Sequence, residues 1–175
     1  SYTFQTRESF SANDNGNGVY QFLNSTSGTG IPVFEGTEKT KTFFVGDTSD
    51  TQIYVIPDVT LDTTTLRIRV FPTAGSTLFD TYTDIKKAVR IENDSTYYQI
   101  KEVPNGYYEL IFGNGLTTGK APKAGNKIIV DYLSTLGAAG NGGVSFTSKS
   151  SVRINDVDYN MIVVTTANSA GGAFK

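Results

Sequence analysis

In the clearest stretches of the chain, apolar and polar residues alternate one by one. In Leu66-Arg67-Ile68-Arg69-Val70 the aliphatic side chains share one face and the arginines take the other, which is the period of a half-buried strand and not of a helix. Tyr98 and Ile100 alternate with Gln99 and Lys101. Beyond Pro104-Asn105-Gly106, Tyr108, Leu110 and Phe112 again line one face. Pro104 presets φ and Gly106 accepts a positive φ, so Tyr97 to Gly113 is predicted to be a β-hairpin with aromatic residues on both arms. Further strands are predicted at Thr40 to Val45, Thr51 to Ile56, Lys127 to Leu133, Gly143 to Ser148 and Tyr159 to Thr165.

Between these runs the chain is rich in Gly, Asp, Asn, Ser and Thr. Leu78 to Val89 is the one stretch with the length of a short helix, although Asp80, Asp84, Lys86 and Lys87 leave it without an apolar stripe. Ser11 to Gly18 and Asn24 to Gly30 read as loops, and the small, glycine-rich Ala167 to Lys175 reads as chain leaving the domain. No repeat recurs at a fixed period, which argues against solenoids and propellers. The expected fold is mainly β: an antiparallel β-sandwich-like domain with long loops and little helix. The 175 residues are expected to form a single β-rich domain, 1–175, excised from a longer polypeptide, with 72–96 as the place for any sub-boundary.

Composition narrows the chemistry. The chain has neither cysteine nor histidine. That removes disulfides, thiolate metal sites, the usual neutral-pH general base and every Ser-His or Cys-His nucleophilic pair. Fifteen basic and seventeen acidic residues, scattered along the sequence, give a net charge of -2 and no basic stripe for nucleic acid. Apolar runs such as Ile128 to Val130 and Met161 to Val164 fall far short of the roughly twenty residues of a membrane-spanning helix, and no membrane partner is expected.

Carboxylates are the remaining catalytic route. Asp47, Asp50, Asp58 and Asp62 are oxygen-rich but match no EF-hand spacing, and turn formation explains them better than calcium. Glu102 and Glu109 lie on paired strands, as a glycosidase pair could, but they read equally as solvated face residues. Phe112-Gly113-Asn114-Gly115 with Gly119-Lys120 is superficially like a phosphate loop, yet Ala121-Pro122 follows where Ser or Thr and a helix are needed. No catalytic, metal-binding or cofactor-binding residue is assigned, and no cofactor is expected. Tyr97, Tyr98, Tyr107 and Tyr108 on one hairpin form a candidate protein interface, because tyrosine buries area while keeping a hydrogen bond. A loop covering the second face would account for them equally well.

Gly106 to Gly142 carries an ordered set of motifs. Tyr107 to Gly115 ends in Phe112-Gly113-Asn114-Gly115; Gly119-Lys120-Ala121-Pro122-Lys123-Ala124-Gly125 follows; Ile128 to Tyr132 is a strand ending in tyrosine; and Gly137-Ala138-Ala139-Gly140-Asn141-Gly142 closes the run. This order resembles the baseplate J-like and T-even baseplate wedge family of contractile-tailed bacteriophages over about forty residues. Tyr20 to Asp62 and Asn168 to Gly172 resemble it more weakly, as preceding strands and a Gly-Gly exit. Asn114 stands where many relatives carry Asp, and the Gly115 to Gly119 loop is nearer in length to the T-even wedge branch than to the J proteins. The resemblance implies a non-enzymatic structural protein of the virion tail baseplate, assembled in the host cytoplasm. It would bind copies of itself as a dimer or ring, together with neighbouring wedge proteins. From the residues alone, a tail-associated adhesin or carbohydrate-binding β-sandwich is the alternative.

Overall fold

The structure is a computed structural model that describes residues 1–22, 30–47 and 52–173. The chain divides into two compact units. One combines Ser1–Gly36 with Leu136–Lys175, and the other is Thr37–Thr135. The 72–96 segment therefore lies inside the second unit. Among the described residues the first unit holds β1 (Phe4–Gln5), β2 (Ala12–Asp14), β3 (Tyr20–Phe22) and β4 (Phe34–Glu35). The second holds β5 (Thr37–Phe44), β6 (Tyr54–Ile56), β7 (Arg67–Phe71), β8 (Asp80–Asp84), β9 (Tyr97–Val103), β10 (Tyr107–Phe112) and β11 (Lys127–Ser134). The first unit then resumes with β12 (Val152–Ile154) and β13 (Val157–Tyr159).

The protein is mainly β, as expected, and the second unit carries its large sheet in the order β5-β11-β7-β8-β9-β10-β6. All neighbours are antiparallel except β8 and β9, which run parallel through Thr83↔Tyr97 and Asp84↔Tyr98. β8 joins two halves, pairing β7 through Asp80 to Tyr82 and β9 through its last two residues. Both halves turn their apolar faces into one core. Ile68, Val70, Ile128 and Val130 come from one half and Tyr98, Leu110, Tyr54 and Ile56 from the other. Phe43, Tyr54, Phe112 and Tyr82 link them through successive edge-to-face ring contacts at 5.2–5.6 Å, the geometry the ring quadrupoles favour.

The alternation read from the sequence is the reason β7 and β11 sit centrally. Ile68 and Ile128 are fully buried, whereas Arg67 and Arg69 take the outer face. The hairpin closes as expected: Pro104–Gly106 forms a one-turn 3-10 segment with Asn105 and Gly106 both at φ 70°, and Tyr107 pairs with Val103. The loop after β6 is sealed by Leu61, which is fully buried, and by Asp62, whose carboxylate caps the 3-10 turn Thr63–Thr65.

Several expectations are corrected. Leu78 to Val89, which lacks the apolar stripe of a helix, forms β8 and the 3-10 turn Ile85–Lys87, capped by the Asp84 side chain. Neither Gly143 to Ser148 nor Tyr159 to Thr165 makes a strand beyond Tyr159 itself. A strand exists only with a partner, and the partnered segments are β12 and β13, joined by Asn155 and Asp156 at φ 49° and 63°, a turn that needs positive φ at both central residues. Ser11 to Gly18 contains β2. Thr51 and residues 24–29 lie outside the described residues, and the strand expected at Thr51 to Ile56 is the shorter β6.

The first unit is built differently. Its described residues form three two-stranded ribbons, β1-β4, β2-β3 and β12-β13, with ring contacts Phe4–Phe146 at 4.9 Å and Tyr20–Tyr159 at 5.1 Å. Every buried hydrophobic residue among those described belongs to the second unit. Among the described residues the first unit therefore has no fully buried hydrophobic side chain. Among the described residues no helix is long and apolar enough to cross a membrane.

Candidate functional site

The glycine motifs resolve into two networks, one in each unit. In the second unit, Phe112 ends β10 and packs against the core. Gly113 follows where the chain has no room: a Cβ there would stand 2.2 Å from the Gly119 carbonyl oxygen. Asn114 then organises the loop. Its Oδ1 accepts from the backbone N–H groups of Leu116, Thr117 and Thr118 at 2.9, 2.9 and 3.1 Å, and its Nδ2 donates to Thr117. Gly115, at φ 73°, donates its N–H to Gly119 O at 2.8 Å. Gly119, at φ 97°, lies against Ser95 O, which also accepts from Lys120 N at 2.8 Å.

Lys120 pairs with Asp80, and its carbonyl accepts from Tyr82 OH at 3.3 Å. Pro122 leads into Gly125 at φ 83°, whose N–H donates to Val45 O at 2.9 Å. Asn126 Nδ2 reaches Pro72 O at 3.0 Å. The motif loop therefore ties the ends of β5, β7 and β8 together, through a backbone bond to β5 and through side-chain contacts to β7 and β8. Three backbone N–H groups aim at the Asn114 carboxamide and not at an open anion site, so the likeness to a phosphate loop has no counterpart in the geometry.

In the first unit, Gly137, Gly140 and Asn141 meet the glycine-rich C-terminal segment. Asn141 Oδ1 accepts from Gly172 N and its Nδ2 donates to Gly172 O, both at 2.9 Å. Ser169 Oγ donates to Gly140 O at 2.7 Å and accepts from Gly143 N at 2.7 Å. Gly142 N and Ser169 O close a further bond at 2.8 Å, and Ala138 N reaches Ala173 O at 3.2 Å. Gly140 is pressed against Glu35, whose Oε2 accepts from Leu136 N at 2.9 Å. The stretch from Ser169 to Ala173 is therefore held against Gly137 to Gly143 and does not leave the unit there. Asn141→Ala is expected to release it at a local cost of roughly 1–3 kcal/mol, seen as faster amide exchange at Gly142 and Gly172 with β11 unchanged.

The four hairpin tyrosines do not make one exposed patch. Tyr98 is buried at 5 % exposure within the core and Tyr108 packs against it. Tyr97 and Tyr107 face the other way and are half-buried, but they stand at opposite ends of the hairpin, beside Thr83 and Val103. Residue parity and the ladder register separate them. Burial, reinforced by Asp84, pushes Tyr98 up to about 12, and burial with Asp80 does the same for Tyr82, so both hydroxyls keep their protons at neutral pH.

The carboxylates are likewise dispersed. Glu102 and Glu109 pair with Tyr108 and Lys101 and differ in parity, which puts them on opposite faces of the hairpin. Asp62 caps a turn, Asp47 is exposed, and Asp50 lies outside the described residues. Asp58 is the exception. Burial opposes its charge, but bonds from Lys39 Nζ at 2.8 Å, Thr60 Oγ1 at 2.5 Å, Thr60 N at 2.9 Å and Tyr132 OH at 3.1 Å outweigh it and lower the carboxyl to about 2. A depressed carboxyl stabilises the fold above its ordinary 3.8 and ceases to do so as pH falls through about 2. Asp58→Asn is therefore expected to lower the denaturation midpoint at neutral pH and to flatten the acid limb between those values, read by urea titration across pH.

A cavity of about 610 Å3 opens beside β7, β8 and β11, lined by Arg69, Asp131, Tyr82, Tyr98, Asp84 and Lys87 among others. Arg69 is already bonded to Asp131 at 2.6 Å, and Thr40 Oγ1 donates to the same carboxylate at 2.7 Å. Among the described residues no three His, Cys, Asp or Glu side chains come together to hold a metal ion.

Fold and motif loops together define a β-rich protein whose conspicuous polar residues bind its own backbone. No family model matches the chain, and no curated protein matches it.

Proposed function

We propose that this chain is a structural assembly domain of a contractile phage tail baseplate wedge, binding copies of itself and neighbouring wedge proteins without catalysis. The resemblance of the ordered motif run from Gly106 to Gly142 supports the family. The observation that carries the assembly reading is the exposed run Met161-Ile162-Val163-Val164, in which Ile162 is 92 % and Val164 79 % exposed, in a unit that buries no hydrophobic residue among those described. Four consecutive apolar residues in water are costly, and covering them with a neighbouring chain recovers about 25 cal/mol per Å2. Asn114, Asn141 and Ser169 support the same reading, since their polar groups hold loops in shape.

The test is size-exclusion chromatography with light scattering, alone and after co-expression with the wedge proteins of the same virion. A dimer, ring or wedge complex is expected, dissociating in an Ile162→Lys, Val164→Lys variant. A monomer that ignores those partners would defeat the proposal, and reproducible binding on a glycan array would favour an adhesin instead.

A further inference from the structure

The sequence contains five Asn-Gly steps, at Asn15, Asn17, Asn105, Asn114 and Asn141. Asn-Gly is the dipeptide most prone to lose its side-chain amide, because glycine leaves the following backbone nitrogen unhindered. All five asparagines are exposed, so accessibility does not rank them. Hydrogen bonding does.

Three steps are held at both reacting groups. The Asn114 carboxamide accepts three N–H bonds while Gly115 N donates to Gly119 O. Both amide atoms of Asn141 are bonded to Gly172, and Gly142 N donates to Ser169 O. Asn15 Nδ2 donates to Gln21 Oε1 at 3.1 Å, and Gly16 N to Asp14 Oδ1 at 2.7 Å. Reaction at any of these needs the loop to open first.

Asn17 is different. It occupies the tip of the β2-β3 ribbon at φ 55°, followed by Gly18 at φ 76°. The tip is closed around it by Asn15 N to Val19 O at 2.8 Å and Val19 N to Gly16 O at 3.1 Å. Neither the Asn17 carboxamide nor the Gly18 N–H has a hydrogen-bond partner among the described residues. The Asn105 side chain is also without one, but its turn joins the long strands β9 and β10 within the seven-stranded sheet, whereas Asn17 tips a two-stranded ribbon of three-residue strands.

We infer that Asn17 is a site of spontaneous covalent modification, the first of the five to deamidate in the folded protein. The deprotonated Gly18 nitrogen attacks Asn17 Cγ, the Cγ–Nδ2 bond breaks, and the amide leaves as ammonia with the proton gained. Water then opens the cyclic imide at either carbonyl, giving Asp or isoaspartate. The net charge of -2 becomes one unit more negative, and the isoaspartate product lengthens the backbone of the tip by one carbon.

The experiment is to age the folded chain at mildly alkaline pH and follow each Asn-Gly peptide by mass spectrometry, with a urea-denatured sample alongside. Asn17 is expected to convert fastest, Asn105 next, and Asn15, Asn114 and Asn141 at least about tenfold more slowly than Asn17, the factor about 1.4 kcal/mol of opening imposes. In urea the five should react alike. Asn17→Gln should abolish the early acidic species on ion exchange. If Asn114 or Asn141 reacts as fast as Asn17 in the folded chain, or Asn17 stays intact while its denatured counterpart reacts, the inference fails.

Discussion

Gly113→Ala is expected to destabilise the second unit by about 3 kcal/mol or more, lowering its unfolding temperature by roughly 10–20 °C. The new Cβ would stand 2.2 Å from Gly119 O, 2.3 Å from Gly119 C and 2.5 Å from Thr118 O. All three are backbone atoms, so no side chain can rotate away; the loop must open, breaking the bonds that gather at Asn114. Two further substitutions separate the causes. Gly125→Ala meets nothing within 4 Å but forces alanine to φ 83°, a cost of about 1–2 kcal/mol. Gly75→Ala meets nothing and needs no positive φ, so it should be neutral. Thermal unfolding of the three variants ranks close approach above backbone conformation, and equal losses at Gly113 and Gly125 would contradict that ranking.

Ile128→Ala is the second large effect, expected to cost about 4 kcal/mol. Ile128 has no exposed surface and stands in β11, opposite Phe43 on one side and Val70 on the other. Truncation leaves a void between two strands fixed by their ladders, where collapse is hindered on both sides. Ile129→Ala removes the same atoms from the opposite, half-buried face and should cost under about 1.5 kcal/mol. Urea denaturation of the pair compares one chemistry at two depths.

Local features of this fold were legible in the sequence, and partner-dependent ones were not. The β9-β10 hairpin could be read because its alternation, its Pro-Asn-Gly turn and its pairing all lie within Tyr97 to Phe112. β7 and β11 announced themselves by period two. Nothing local states that β11 runs between β5 and β7, because those pairings join residues far apart in sequence, or that β8 and β9 are parallel, because the short segment between them carries no sign of strand direction. Met161 to Val164 has the composition of a strand and lacks only a partner. Among the site residues, the motif glycines were legible as turns. Their partners Ser95 and Ser169 were not, since a serine carries no sign of the distant backbone it will meet. Tyr98 was offered as surface because aromatic residues lie on both faces of its strand; which face turns inward depends on the opposing half of the sheet.

The discontinuity of the first unit governs the order in which the polypeptide can acquire structure. Its halves are separated by the whole of Thr37–Thr135, and joining them across an unstructured tether of that length carries a substantial entropic penalty. Once the second unit has formed, Thr37 sits opposite Ser134 in the β5-β11 ladder, so the tether shrinks to a gap one strand wide. Vectorial synthesis favours the same sequence of events. The intervening segment emerges complete while Phe34 and Glu35 still await Leu136 and the residues after it, so the insert is expected to fold before the first unit closes.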